Sequence, residues 1–250
     1  MAHFLASSWE LVISAFMPVV MALGLFALEA KGPLAATIRS GRGLVAPYFT
    51  VVSIIFGLFA ALLVSDVWQK CNEARHAVEA EGDAVHLIAH LARANGIEAM
   101  AMPRLRAYVQ AASAEDPYSA AIDARRGETG KAYQELLTAL TTVVGIEPPM
   151  RGALLGAARE LLQAHDKRLH LANDVTAPIK WLALLVFGGI TQIALMLVHV
   201  DNRRPMRVAV GLFTVAFSFC LVVVAIFDAP FEIVLSDEPG ATLRLVLKGL

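Results

Sequence analysis

Four uninterrupted apolar stretches alternate with polar segments along this chain, and they predict its architecture. They comprise residues 11–28, 44–65, 181–200 and 208–227. A helix needs about 20 residues to cross a bilayer, and a charge near its centre costs about 2.5–3.5 kcal/mol on insertion scales. None of the four stretches contains Asp, Glu, Lys or Arg. We therefore predict four transmembrane helices, two before and two after a long polar insert.

The insert is predicted to be helical, because Ala, Glu, Arg and Leu dominate it and these residues are strong helix formers. The predicted fold is all-α: a polytopic membrane protein in a 2 + 2 layout, with a helical bundle inserted between the second and third spans. The predicted parts are a first transmembrane hairpin at 1–65, a helical domain at 66–177 continuous with the second and third spans, a second hairpin at 178–228 and a tail at 229–250.

Two shorter helices are also expected. Turn residues at both ends of residues 115–130 bracket a short helix. In the tail, Leu243, Val246, Leu247 and Leu250 share one helical face, which predicts a short amphipathic helix on a membrane or subunit surface.

Composition agrees with a membrane protein and excludes several other classes. Hydrophobic residues make up 57% of the chain and charged residues 17%, against about a quarter charged in soluble domains. A net charge of −1 gives no reason to expect a nucleic-acid partner. Cys71 and Cys220 lie far apart, which fits neither a disulfide framework nor a metal knuckle. The sequence contains no nucleophile elbow and no glycine-rich phosphate loop, so we expect neither an enzyme nor a cofactor.

Basic residues in the hairpin loops predict the orientation of the chain in its membrane. The two loops carry Lys31, Arg39 and Arg42, and Arg203, Arg204 and Arg207. The N-terminal tail carries no Lys or Arg, so the positive-inside rule places both loops in the cytoplasm. The termini and the helical domain are then extracytoplasmic. Basic residues of the insert close to the spans argue the other way, but long inserts count for less under this rule.

One acidic and one basic residue occupy otherwise apolar helix faces in the insert. Glu81 lies on the apolar face of the helix that follows the second span, and the line through Leu154 and Leu161 reaches Arg168 seven residues later. At about 1.5 Å per residue, Glu81 and Arg168 lie about 22 and 20 Å beyond their spans, on helices that run antiparallel. We predict a buried Glu81–Arg168 ion pair, which specifies the register of the two helices more than it adds stability.

A histidine pair raises the question of a metal. His86 and His90 are four residues apart, and Asp83 lies one turn earlier, so the three share a helix face. Such spacing can bind a divalent ion if His165 or His170 supplies a further ligand. No Cys/His motif supports this reading, and a solvated polar face is the favoured interpretation of these residues. We therefore predict no metal site.

Two faces of the second span are candidates for a conducting path. One is a stripe of small and weakly polar side chains at helical spacing: Thr50, Ser53, Gly57, Ala60 and Val64. The other is bulky and apolar and ends at Asp66 at the membrane edge: Ile55, Phe59 and Leu62. Small stripes commonly mark close helix packing. The alternative is a pore lined by the small stripe, with the bulky face as a hydrophobic constriction and Asp66 at the pore mouth, where a lone carboxylate hints at cations.

Three segments of the chain resemble the bacterial bestrophin-like membrane proteins. They are FGLFAALLVSDVW at residues 56–68, KRLHLANDVTAPIKW at 167–181 and FDAPF at 227–231. Glu81 and Arg168 stand at the family's acidic and basic positions. The family's turn after the last span is matched by Asp228, Pro230 and Phe231. The departures are Gly82, where the family commonly has alanine, and Glu232, where a glycine often follows.

The resemblance implies an oligomeric anion channel whose pore is lined by the second transmembrane helix. It also implies a cytosolic helical domain, which disagrees with the charge count. Two functions stay open. One is a homo-oligomeric ion channel, with membrane lipid, inorganic ions and further copies of the chain as partners, because four spans are few for a path within one subunit. The other is a non-conducting membrane scaffold or sensor whose helical domain binds a partner or ligand.

Overall fold

The computed structural model describes residues 2–31, 46–115, 127–174 and 176–249, and within these ranges it contains helices and no strands. In chain order the helices are α1 (Ala2–Lys31), α2 (Ala46–Ala94), α3 (Glu98–Ala114), α4 (Glu128–Thr142), α5 (Pro148–Asn173), α6 (Pro178–Val198), α7 (Arg203–Asp228) and α8 (Gly240–Gly249). Four of them are long and apolar enough to cross a membrane. The predicted all-α class is confirmed. The first hairpin loop and the short helix expected within 115–130 fall mostly outside the described residues.

Helix α2 is 49 residues long. Pro47 lies in its first turn, where the missing N–H of a proline is not needed. Residues 50–65 carry no charge, whereas residues 66–94 carry eight Asp, Glu, Lys or Arg side chains. The membrane-spanning part of α2 therefore ends near residue 65, and the rest of the helix lies outside the apolar segment. The helix stops where Gly96 takes a left-handed φ of 66°, a common C-terminal signal.

The predicted helical continuity into the third span is wrong. Helix α5 ends at Asn173, and α6 begins at Pro178. A proline lacks the N–H that would continue the helix, and its ring clashes with the carbonyl one turn earlier. In the break, the Thr176 backbone N–H donates to Asp228 Oδ1 at 2.9 Å, so the end of α7 holds the start of α6.

The chain divides into two compact units. The first comprises Met1–Gln69 and Thr176–Asp228, and the second comprises Lys70–Val175 and Ala229–Leu250. Residues 229–250, set apart as a tail by their sequence, thus cluster with the helical domain. The reason is that the apolar face of α8 packs inside the second unit, where Leu243 and Val246 are buried in the core.

The first unit is held together by apolar packing and by one polar side chain in mid-span. Its core joins α2, α6 and α7 through Ala60, Leu63, Val67, Leu184, Phe217, Leu221 and Val224. The Gln192 side chain of α6 donates from Nε2 to the Pro18 carbonyl of α1 at 3.1 Å and to Thr214 Oγ1 of α7 at 3.0 Å. Interhelical hydrogen bonds of this kind contribute about 0.6 kcal/mol on average in membranes.

A glycine fixes the approach of α6 and α7. A Cβ at Gly188 would overlap the ring of Phe217, which is fully buried. Gly188→Ala is therefore expected to lower the thermal unfolding midpoint of the detergent-solubilised protein, because overpacking a filled core costs about 1–3 kcal/mol. Gly211→Ala in α7 is the control, since no atom lies within 4 Å of its Cβ position. An equal midpoint for Gly188→Ala and the wild type would contradict this packing.

The second unit is a helical bundle built from the later part of α2 together with α3, α4, α5 and α8. At Gly82 a Cβ would meet side chains of α8, Val246 at 3.4 Å and Thr242 at 3.5 Å, which is ordinary van der Waals contact. The alanine common in the resembling family would therefore fit here. Phe231 is buried in a second small cluster that includes Ala77 and Leu235.

Candidate functional site

The structure brings Glu81 and Arg168 together in the core of the second unit. Arg168 Nε donates to Glu81 Oε2 at 2.8 Å, and neither side chain is exposed to solvent. Glu81 lies on α2 and Arg168 on α5, and the sequence predicts similar distances of the two residues from their membrane spans. The pair thus joins the helix that carries the second span to α5, the last helix before the third span.

Three further side chains complete a buried polar cluster, which we call the Glu81 cluster. Tyr108 of α3 donates its hydroxyl to Glu81 Oε1 at 2.7 Å. Arg168 Nη2 donates to Glu115 Oε2 at 3.2 Å and contacts His165 Nδ1 at 3.0 Å. Sequence reasoning did not find Tyr108 or Glu115. The sequence does contain a signal for His165, because this residue lies three positions before Arg168 and therefore on the same face of the helix.

The electrostatics of the Glu81 cluster favour an ionised Glu81. Burial raises the pKa of this carboxyl, but the Arg168 charge, the adjacent His165 and the Tyr108 hydrogen bond together outweigh burial and lower the pKa to about 2. Burial and the Glu81 charge raise the pKa of the Tyr108 phenol, which stays protonated and donates. Burial lowers the pKa of Arg168, whereas the Glu81 charge raises it, with a net rise. The cluster holds two carboxyl groups against one guanidinium.

The residues considered for a metal are not arranged as a site. Asp83, His86 and His90 are exposed on α2, while His165 is buried in the Glu81 cluster. In the part of the chain that the structure describes, no three or more His, Cys, Asp or Glu side chains form a group that could hold a metal ion.

The small stripe of the second span is divided between core and surface. Ser53 and Gly57 are exposed, as is Thr50, whereas Ala60 is buried in the core of the first unit and Val64 is half-buried against it. Ala60 is therefore occupied by packing within the subunit.

The bulky stripe is mostly exposed. Ile55 is 44% exposed and Leu62 is 62% exposed, while Phe59 is half-buried with its ring centroid 5.8 Å from that of Phe187. Neighbouring apolar side chains extend this surface: Val51, Ile54 and Leu58. At 3.6 residues per turn, Gly57 and Leu62 point about 140° apart, so one axis cannot face both stripes.

The carboxylate at the end of the second span is not alone. Lys180 Nζ of α6 lies 2.6 Å from Asp66 Oδ2, and both side chains are partly exposed. This pairing offsets the charge of Asp66 within the subunit, so Asp66 by itself gives no reason to expect cations. Beyond α7, the Pro230 carbonyl accepts a hydrogen bond from the Leu235 N–H at 2.8 Å, which closes the turn.

Similarity to known proteins extends over nearly the whole chain. Residues 16–236 match the bestrophin-like domain. A solved bacterial bestrophin homologue from Klebsiella pneumoniae, carrying a point mutation, is 14% identical, with 97% of this chain and 98% of that chain covered and a TM-score of 0.66. A structure described as a membrane protein with a serine-to-alanine substitution is 15% identical, with 98% and 96% covered and a TM-score of 0.68. No curated protein matches the sequence.

Proposed function

Because this chain belongs to the bestrophin-like domain family, we propose that it is one subunit of an oligomeric ion channel whose pore is lined by α2. The membrane is the bacterial inner membrane. The partners are lipid, further copies of the chain and the permeating inorganic ions.

The observation that carries this proposal is the apolar face that α2 leaves exposed. Among the described residues, the interior of the first unit is filled with buried side chains such as Leu184 and Phe217, so the described parts of its spans leave no space for an ion path within one subunit. Copies of α2 around a common axis would instead present Ile55 and Leu62 to one another as stacked apolar rings. Hydrophobic rings of this kind gate ion flow by dewetting. Ser53 and Gly57, on another side of the helix, suit close contact with a neighbouring subunit.

Anions are the proposed permeant ions. The likeness to bestrophins implies anions, and pairing with Lys180 removes Asp66 as an unbalanced negative charge at the pore mouth. We expect purified protein in liposomes to release chloride well above the rate of protein-free liposomes. Replacing chloride by a large organic anion should abolish the flux, whereas replacing sodium by a large organic cation should not. The opposite pattern would make the channel cation-selective, and no flux in any salt would favour the scaffold or sensor function.

The orientation follows the basic residues of the hairpin loops, with the helical domain outside the cytoplasm. Alkaline phosphatase fused after the last residue is then expected to be active in cells, because this enzyme folds only where disulfides form. Fusion within the loop at 201–207 is the matched control and is expected to be inactive. The reverse result would place the helical domain in the cytoplasm.

A further inference from the structure

One side of α7 is exposed and apolar, and it starts at two arginines. Four bulky side chains recur along it at steps of four, three and four residues, each 68–72% exposed in the subunit: Val208, Leu212, Val215 and Phe219. Arg204 lies one turn before Val208, and Arg207 directly precedes it, so both lie at the start of this side and are exposed as well. We call the four apolar residues and the two arginines the α7 face.

The arginines of the α7 face lie at the level of lipid headgroups. The apolar stretch of α7 covers residues 208–227, which at about 1.5 Å per residue matches the roughly 30 Å hydrocarbon core of a bilayer. Arg204 and Arg207 fall just outside this stretch, and Val215 lies about 10 Å inside it. An occupant that covers the whole face therefore has a polar end beside the arginines and a long apolar body.

The two arginines of the α7 face carry charge that the subunit does not balance. Arg203, which precedes them, is paired with Glu29 at 3.3 Å. Arg204 and Arg207 have no ion-pair partner among the described residues. Because a guanidinium stays charged in proteins, the occupant of the face has to supply negative charge.

A second copy of the chain does not supply that charge. The two hairpin loops, residues 29–43 and 201–207, contain six Lys or Arg residues but only two carboxylates, Glu29 and Asp201. Glu29 is paired with Arg203, and Asp201 also has an interaction within its own chain. Helix contacts in membranes favour small residues, whereas the apolar members of the α7 face are bulky. Charge and shape thus both favour an anionic lipid over a neighbouring subunit.

We propose that the α7 face binds an anionic phospholipid, with its phosphate at Arg204 and Arg207 and an acyl chain along Val208, Leu212 and Val215. Guanidinium groups bind phosphate oxygens through strong, often paired hydrogen bonds. Each basic residue beside a negatively charged membrane surface contributes about a fivefold preference, so two arginines give about 25-fold. A zwitterionic lipid loses this preference because its own ammonium group balances its phosphate. The proposal specifies the lipid partner of the proposed function and rests on the membrane location of the chain, not on ion conduction, so the two can fail separately.

Quenching of tryptophan fluorescence by brominated acyl chains tests which lipid covers the α7 face. The full-length protein carries Val215→Trp in a background with Trp9, Trp68 and Trp181 replaced by phenylalanine. It is reconstituted in bilayers of phosphatidylglycerol and phosphatidylcholine in which one of the two lipids is brominated. Half-maximal quenching is expected at about a 25-fold lower mole fraction of brominated phosphatidylglycerol than of brominated phosphatidylcholine. Equal quenching by the two lipids would overturn the proposal, and so would quenching by neither, because protein would then cover the face.

Ile193→Trp in the same background is the matched control. Ile193 and Val215 each lie seven residues inside their apolar stretches, measured from the loop at 201–207, and Ile193 is 41% exposed. Helix α6 contains no arginine, so the tryptophan introduced there is expected to show no preference between the two lipids. A preference equal to that of the Val215→Trp protein would mean general enrichment of anionic lipid around the protein and would reject a site on α7.

Two double substitutions locate the headgroup. Arg204→Gln with Arg207→Gln is expected to lower the preference for phosphatidylglycerol about 25-fold, whereas Arg204→Lys with Arg207→Lys keeps most of it because both charges remain. An unchanged preference in the glutamine variant would overturn the proposal.

The wild-type protein provides a check without any substitution. Native mass spectrometry of the protein released from the same mixed bilayers, without bromine, is expected to show phosphatidylglycerol retained on each chain in preference to phosphatidylcholine. Retention of phosphatidylcholine alone, or of neither lipid, would contradict a selective site for an anionic lipid.

Discussion

Replacing Arg168 by methionine is expected to lower the free energy of unfolding by about 3–5 kcal/mol at neutral pH, because removing one partner of a buried ion pair leaves the other charge uncompensated. The expected loss is large since both side chains of the pair are fully buried and Arg168 Nε donates to Glu81 at 2.8 Å. Methionine keeps most of the apolar volume of the arginine stem, so the loss reports charge and hydrogen bonding more than a cavity. Guanidinium titration of the detergent-solubilised protein, followed by circular dichroism, measures it.

The unfolding free energy lost in Arg168→Met should depend on pH, and the protonation of the Glu81 carboxyl determines the direction. In the wild type the pKa of Glu81 is about 2, below its ordinary value, so its contribution to stability is fully present above pH 4.5 and declines as the pH falls toward 2. Without Arg168, burial dominates and raises the pKa of Glu81 above the ordinary value. The variant therefore gains stability as the carboxyl takes up a proton, and the difference from the wild type narrows as the pH falls toward 4.

Arg159→Met is the matched control. Arg159 lies on the same helix, is exposed, and should change the free energy of unfolding by no more than about 0.5 kcal/mol. Equal losses for Arg159→Met and Arg168→Met would show that helix content, and not the buried pair, sets the stability.

The ion pair was accessible to sequence reasoning because two simple quantities suffice to find it. One is the position of each charged residue on an apolar helix face, and the other is its height above the membrane. The rest of the Glu81 cluster was not accessible, since Tyr108 and Glu115 belong to the α3 region, whose placement depends on tertiary packing. Periodicity assigns a residue to a face but does not say what covers that face.

The same limit explains the second span. Its spacing separates a small stripe from a bulky one, yet only packing reveals that Ala60 is buried while Leu62 is exposed. The break before α6 is a different case, because its signal was present in the sequence. Pro178 favours a bend at that point, although the predicted domain bounds continued the helix across it. Lys180 lies one residue before the third apolar stretch, but no pattern in the sequence indicates that its side chain contacts Asp66.

The second large effect is expected from a charged thiol reagent acting on the exposed face of α2. In a background with Cys71→Ala and Cys220→Ala, cysteines are placed one at a time at Ile55 and Leu62, which are proposed to face the pore, and at Leu212 on α7. Leu212 is a matched control, because it is 72% exposed in the subunit and Leu62 is 62% exposed. A thiol must ionise in water to react, so one that faces lipid stays unmodified. Cysteines at Ser53 and Gly57 test the small stripe in the same way.

The most direct measurement is the current through single channels of these variants before and after the reagent. If α2 lines the pore, Ile55→Cys and Leu62→Cys channels are expected to lose nearly all of their current, because a bulky charged group then occupies the apolar constriction, while Leu212→Cys channels keep theirs. Loss of current in Ser53→Cys and Gly57→Cys channels alone would mean that the small stripe of α2, and not its bulky face, lines the pore. Currents that persist in every α2 variant would contradict a pore lined by this helix.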